Sequence, residues 1–448
     1  MHRPAPFRIL TLALGLVLAA CGREAREARP PVLVLGVDGM EWSVAEPLLE
    51  AGRMPNLARL LEDGVGGVLE TEIPTRSPML WTTVATGRQP EDHGILHFGM
   101  DPETGEPSER GVPYTSETRK VPALWNLAGD AGLSTALVGW WVTWPAEPVA
   151  GARIVSSYAA QAQGTLLWKG GVWADGLPEL TWPRELQDEI LPYLREGALD
   201  GPVKDEYVAR FGLMPEKWHR LVDTEGLFRF AWHADRTHER IFVHLLEQEM
   251  PDLAMVYFGT PDVAGHFWWR YREPDAYHYR IRPREIRFFG EHIDKTYEAL
   301  DDWIGEILAV TPPETTVLLV SDHGMRAYNL DGTEGTRSGG HKEGEPGVFV
   351  LSGPSVTDRG LLPPEERRLG HLLDVAPTVC DLLGMPALEE MPGHSLRGLM
   401  TDGWRAAHPE PERVPTPDFR PPLPPRAPTE DASELFRENL TRGLGYTD

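Results

Sequence analysis

The chain predicts an α/β fold, with one large, mostly parallel central sheet flanked by helices on both faces, and three observations support it. Val32–Val37, 253–258 and 316–320 are apolar runs without a polar face, the pattern of strands covered on both sides. Helical periodicity stands beside them, as where Ile293, Tyr297, Leu300, Ile304 and Leu308 lead into the run at 316. Two of the runs stop abruptly at ligand-type residues, Asp38 after the first and Ser321, Asp322 and His323 after the last. In open α/β sheets that end of the strands is where ligands bind.

A length of 448 residues suggests about three domains, or one large sheet that absorbs them. The formal net charge of -25 excludes a general nucleic-acid binder, which would show a basic face. An acidic enzyme acting on anionic substrates must find positive charge elsewhere, and bound divalent cations supply it.

The chain begins with Arg3 and Arg8 ahead of an apolar run, 9–18, too short to span a bilayer but right for a signal peptide. Leu18-Ala19-Ala20-Cys21-Gly22 resembles a bacterial lipobox, so 1–20 reads as a lipoprotein signal peptide and Cys21 as a lipidated N-terminus. An ordinary signal peptide is the alternative. Residues 21–31 then form a tether; the ten from Gly22 reach roughly 35 Å fully extended. The expected location is the bacterial cell envelope, exported and held on a membrane by lipid. With Cys21 modified, Cys380 is the one remaining thiol and no internal disulfide forms.

Residues 54–61 read as a helix entered through Pro55 and closed by Gly64. In 73–95, Ser77 and Pro78 precede a helical segment (Leu80, Val84) that stops at Gly87. A serine there serves as a helix cap or as a nucleophile whose alkoxide meets free N–H groups and the positive end of the helix dipole. A helix at 123–131 and strands at 134–139 and 153–158 follow, with Trp140, Trp141 and Trp144 read as buried packing. Residues 159–230 lack sustained periodicity and read as an insertion or cap over the site. Residues 233–250 resume as an amphipathic helix.

Asp262 and His266 stand four apart after the run at 253–258, so one helical turn puts both on one face. Gly339-Gly340-His341 lies in a glycine-rich loop before a strand at 347–351. Asp374 opens a short helix carrying Cys380, read as a buried, inert thiol, and His394 has no ligand partner nearby. The catalytic domain is therefore assigned to 32–402, followed by a proline-rich linker at 403–430 and a helix at 431–448 capped by Asp431.

Asp38, Ser77, Asp262, His266, Asp322, His323 and His341 are oxygen and nitrogen ligands from five segments, with no thiolate among them. That donor set suits two divalent cations, Zn²⁺ with Mn²⁺ as the alternative. The order VDGM, PTRSPMLWTTVATGRQPEDHGI, PDVAGH, SDHGM, SGGH and DVAPTVCDLLGMP resembles the alkaline phosphatase superfamily, in its type I phosphodiesterase/nucleotide pyrophosphatase branch. The resemblance implies an alkaline phosphatase-like fold. It also implies one cation on Asp38, Ser77, Asp322 and His323, and another on Asp262, His266 and His341. Ser77 would be the nucleophile by its spacing to Thr86-Gly87, with Thr75 as the other candidate.

The implied activity is hydrolysis of phosphodiester or pyrophosphate bonds through a phosphoseryl intermediate, on a small-molecule or lipid head-group substrate. Two other readings stand beside it: a phosphomonoesterase or head-group transferase of the same superfamily, and a non-catalytic surface lipoprotein whose metals are structural. A sulfatase fits less well, because Ser77-Pro78 lacks the C/S-x-P-x-R pattern.

Overall fold

The computed structural model describes residues 29–108, 111–160 and 178–425. The expected signal peptide, Cys21 and the helix from Asp431 lie outside the described residues, as does 161–177 of the expected insertion.

A ten-stranded sheet forms the centre. In chain order its strands are β1 (Val32–Val37), β2 (Gly64–Glu70), β3 (Thr135–Val138), β4 (Ala152–Val155), β5 (Thr181–Trp182), β6 (Leu253–Phe258), β7 (Thr316–Val320), β8 (Gly347–Ser352), β9 (Gly360–Leu361) and β10 (Arg368–His371). Across the sheet they lie β9-β2-β8-β7-β1-β6-β3-β4-β5, with β10 also beside β2. From β7 to β4 the strands are parallel. β8 runs antiparallel between β7 and β2, and β5 closes the far edge antiparallel to β4.

The alternation of strand side chains creates two cores. Leu33, Leu35 and Val37 of β1, Val256 of β6 and Leu319 of β7 enter one, packed with the helices Val222–Gln248, Thr260–Arg272 and His292–Ala309. Val32, Val34, Met255 and Leu318 point the other way, against the helices Ser77–Thr86, Leu124–Asp130 and Val375–Leu382. Cys380 is fully buried there, and burial pushes its thiol up to about 12.

Residues expected to lack periodicity carry two helices, Leu186–Glu196 and Val203–Phe211. Leu186, Ile190, Leu194, Tyr207 and Phe211 join the first core, and the helix expected from residue 233 already starts at Val222. Proline inside the helix at Pro192 and the short helix lengths hide the pattern. Among the described residues no helix is long and apolar enough to cross a membrane.

Beyond a short helix at Asp402–Ala407, the proline-dense stretch lies along the body as far as residue 425. The Val414 and Leu423 amides donate to the Ala387 and Glu117 carbonyls at 3.0 and 2.9 Å. Arg420 donates to the Ser116 carbonyl and to Glu147 Oε1, at 2.7 and 2.8 Å. Glu147 also pairs with Arg119 at 2.9 Å and accepts from Trp125 Nε1 at 2.8 Å, so two guanidinium groups share one buried carboxylate.

Candidate metal centre

The site grows out of strand register. β1 lies between β6 and β7, with Gly36 level with both Tyr257 and Val320. Three strands therefore end together, and Asp38, the Gly259 helix entry and Ser321-Asp322-His323 emerge at one edge. Gly39 turns the chain there with φ +67°, and a Cβ on it would stand 2.8 Å from Asp262 Cα, so glycine permits this approach of the Asp38 turn to the Asp262 helix.

Thr260–Arg272 carries Asp262 and His266 one turn apart on the buried side. His341 arrives on a two-stranded ribbon, Arg326–Ala327 paired with Gly339–Gly340. The Ser338 amide fastens this ribbon to the helix by donating to the His266 carbonyl at 2.7 Å. Gly339 lies so close to the same helix that a Cβ would meet the Gly265 oxygen at 2.3 Å.

Six of the predicted side chains converge. His323 Nε2 is 3.4 Å from Asp38 Oδ1 and 3.5 Å from Asp322 Oδ2. Asp262 Oδ1 lies 3.3 Å from His266 Nε2 and 3.6 Å from His341 Nε2. The two clusters touch, for His323 falls within reach of Asp262 and His341 as well as of Asp38 and Asp322, and its ring stacks on that of His341 at 3.7 Å. Ser77 is buried at the first position of its helix, one turn before Trp81, whose indole reaches Asp38.

Hydrogen bonds fix which atoms face inward. His323 Nδ1–H donates to the Gly324 carbonyl and His266 Nδ1–H to the Gly339 carbonyl, both at 2.9 Å. Thr75 Oγ1 donates to the His341 carbonyl at 3.0 Å and thus accepts from His341 Nδ1–H at 2.7 Å. All three rings are left with a bare Nε2 turned to the site. His266 and His341 bring these nitrogens within 3.2 Å of each other, a repulsive pairing of lone pairs that a shared cation relieves.

Asp38 Oδ2 accepts from Trp81 Nε1 and Tyr257 OH, each at 2.8 Å, which points its other oxygen inward. Asp38 Oδ1, Asp262 Oδ1, Asp322 Oδ2 and His323 Nε2 are buried without a hydrogen-bond partner. Such atoms cost free energy unless something coordinates them, and hard oxygens with imidazole nitrogens are the donors that divalent cations take. The residues therefore fit the metals that the donor set implies.

Burial, then the Asp38 charge, holds the Asp262 and Asp322 carboxyls well above the usual range. Burial likewise depresses the three imidazoles, which stay neutral. Cation binding needs carboxylates and neutral imidazoles, so protons compete with the cations at the raised Asp262 and Asp322 carboxyls and not at the histidines. Apparent affinity is therefore expected to rise with pH. Calorimetric titration with Zn²⁺ in buffers of different ionisation enthalpy reads the released protons; a heat independent of buffer would contradict the assignment.

Asp235 was not legible as part of this arrangement. Its carboxylate accepts from the Gly259 and Thr260 amides at 3.0 and 2.7 Å and from the Thr260 hydroxyl at 2.6 Å, anchoring the helix that bears Asp262 and His266. Burial pushes its pKa up to about 7. Asp235→Asn replaces one acceptor by a donor facing these groups and is expected to weaken cation affinity about ten- to hundredfold. Competition with a chelator measures this, and unchanged affinity would leave Asp235 a purely structural cap.

Residues 32–337, more than half of the chain, match the family of type I phosphodiesterases and nucleotide pyrophosphatases. Among curated proteins the chain is similar to the 2,3-bisphosphoglycerate-independent phosphoglycerate mutase of Desulforudis audaxviator, 38% identical over 103 residues, or 23% of this chain and 19% of that one. The corresponding enzyme of Paracoccus denitrificans is 30% identical over 148 residues, 33% of this chain and 24% of that one. The chain thus spans a quarter or less of the length of these two relatives. Human ectonucleotide pyrophosphatase/phosphodiesterase 5 superposes with a TM-score of 0.49 at 13% identity, covering 83% of this chain and all of that one. By the extent of the family match, the chain belongs to the type I phosphodiesterase/nucleotide pyrophosphatase family.

Proposed function

We propose that the protein cleaves phosphodiester or pyrophosphate bonds at a pair of divalent cations, through a covalent phosphoserine on Ser77. The observation that carries this reading is the convergence of three buried aspartates and three histidines with unpartnered oxygens and bare Nε2 atoms on one point. Asp38, Asp322 and His323 would hold one cation with Ser77, and Asp262, His266 and His341 the other. Bound there, the cations supply Lewis acidity, making the serine hydroxyl easier to ionise and offsetting charge on the transferred group.

The chain's own groups do the rest. Ser77 Oγ attacks phosphorus in line, and the bond to the leaving oxygen breaks with its electron pair going to that oxygen. Its place at the start of a ten-residue helix gives the developing alkoxide the positive end of the dipole and free N–H groups. Water then attacks the phosphoserine and Ser77 Oγ departs, so two inversions retain configuration at phosphorus. The Thr75 hydroxyl is engaged by His341 on both sides, which suits it to orienting that ring.

Zn²⁺ is the cation proposed from the mixed oxygen and nitrogen donors, with Mn²⁺ as the alternative. The lipobox-like sequence at Cys21 supports an exported protein tethered by lipid to the cell envelope, facing small phosphate esters or lipid head groups.

The test is a panel of mono- and diesters assayed before and after chelation. Hydrolysis of bis(4-nitrophenyl) phosphate is expected to vanish with the metals and return with Zn²⁺ or Mn²⁺. Full activity in the stripped protein would defeat the reading. Two metal equivalents without turnover of any ester would favour a structural role.

A further inference from the structure

The two oxygens of Asp38 have different surroundings. Oδ2 accepts from the Trp81 indole N–H and the Tyr257 hydroxyl, each at 2.8 Å, whereas Oδ1 has no hydrogen-bond partner. A carboxylate oxygen offers about two lone-pair sites, and these donors take both on Oδ2. Asp38 can therefore give a cation one oxygen only. Both donors are locked in place. Trp81 is fully buried, Tyr257 is buried beside it, and their rings meet edge to face at 5.2 Å. Trp140 packs against Trp81 in the same way at 5.1 Å, and its Nε1 donates to the Trp81 carbonyl at 3.1 Å. Gly36 makes room for the two indoles, since a Cβ there would stand 2.8 Å from Trp81 and 3.0 Å from Trp140. Trp81 also lies one turn after Ser77 on one helix, which ties the proposed nucleophile to the group that orients Asp38.

We propose that Trp81 and Tyr257 are positioning residues that hold Asp38 to single-oxygen coordination and thereby set the metal selectivity of its site, against ions that take six or more ligands. The inference rests on the reading above, which gives one cation to Asp38, Asp322, His323 and Ser77. With one oxygen from each aspartate, an imidazole nitrogen and the serine oxygen, those residues offer four donors. Four is the number that Zn²⁺ takes in its usual tetrahedral sets, whereas Mg²⁺, Ca²⁺ and Mn²⁺ favour oxygen-rich sets of six or more. Freed of one donor, Asp38 can turn its second oxygen to the cation, and the site then suits the larger sets better.

The test is made on the full chain, stripped with a chelator and reloaded. Tyr257→Phe keeps the ring and removes one donor, and Trp81→Phe removes the other. Chelator competition gives the affinities for Zn²⁺ and Mn²⁺. Co²⁺ reports coordination number, because it absorbs visible light far more strongly with four ligands than with six. In Tyr257→Phe the ratio of Zn²⁺ to Mn²⁺ affinity is expected to fall about tenfold, on the scale of changes to groups that orient a metal ligand. The Co²⁺ band should weaken by up to half, since only one of the two sites is altered. Trp81→Phe should move both readouts the same way. Equal losses for Zn²⁺ and Mn²⁺, or an unmoved ratio with an unchanged Co²⁺ band, would make the pair plain packing and overturn the proposal. A wild type that binds none of the three ions would defeat the metal centre and this selectivity with it. None of these readouts involves turnover, so a chain that binds the ions but cleaves no ester would sink the hydrolase reading alone.

Discussion

Ser77→Ala is expected to lower kcat/KM on bis(4-nitrophenyl) phosphate by about 10⁴-fold or more, the scale seen when a nucleophile is removed from an otherwise intact site. The alanine keeps the helix start, since Arg76 rather than Ser77 occupies the N-cap position and Pro78 already favours the first turn. Metal analysis separates chemistry from structure. Activity lost while two cations remain bound marks Ser77 as the attacking group; activity lost together with the cations marks it as a ligand first. Thr75→Val supplies the contrast. It removes the acceptor for His341 Nδ1–H, so it should act through cation affinity, about ten- to hundredfold, and be corrected by excess metal. Retention of full turnover by Ser77→Ala would end the covalent mechanism.

Glu147→Gln is expected to cost about 3–5 kcal/mol of stability, because it strips the one carboxylate from two guanidinium groups. Arg119 is 1% exposed and cannot turn to water, and it also lies 5.1 Å from the Trp125 ring. Burial pushes the Glu147 carboxyl up, but Arg119 and Arg420 outweigh it and hold it below the ordinary range. The sign follows. This contribution is fully present above the carboxylate's unfolded value and disappears as pH falls through the depressed folded value. Urea titrations of wild type and variant should therefore differ most near neutral pH and converge in acid. A difference under about 1 kcal/mol at neutral pH would class the network with ordinary surface pairs.

The strands that carry the site were readable because they are apolar on both faces and end in polar residues: Val32–Val37, Leu253–Phe258 and Thr316–Val320 coincide with their runs. The helix holding Asp262 and His266 was readable from spacing four. β2 was not, since Gly64, Gly66 and Gly67 give it no apolar pattern; the Leu351 and Arg367 carbonyls fill the space beside Gly64 and Gly67, and the Leu61 side chain fills that beside Gly66. The groups that orient the ligands were also hidden. Trp81, Tyr257 and Asp235 look in sequence like core or solvent positions, and only strand register shows what their polar atoms touch. Arg420 was concealed in the same way, inside a stretch whose proline content says extended and says nothing of where it lies.

The aspartate at the end of β1 is tied to Tyr257, 219 residues away, and the Gly39 amide beside it donates to Asp322, 283 residues away. A chelate of that kind does not exist in the unfolded chain, whose local pairs are only Asp262 with His266 and Asp322 with His323. A cation cannot act here as a seed around which the polypeptide orders itself, as zinc does in small finger domains. Long-range pairing of β1 with β6 and β7 has to come first, a slow event for distant parallel partners. The ion is thus the last part fitted, and scarcity of metal should yield well-shaped but idle molecules instead of misfolded ones.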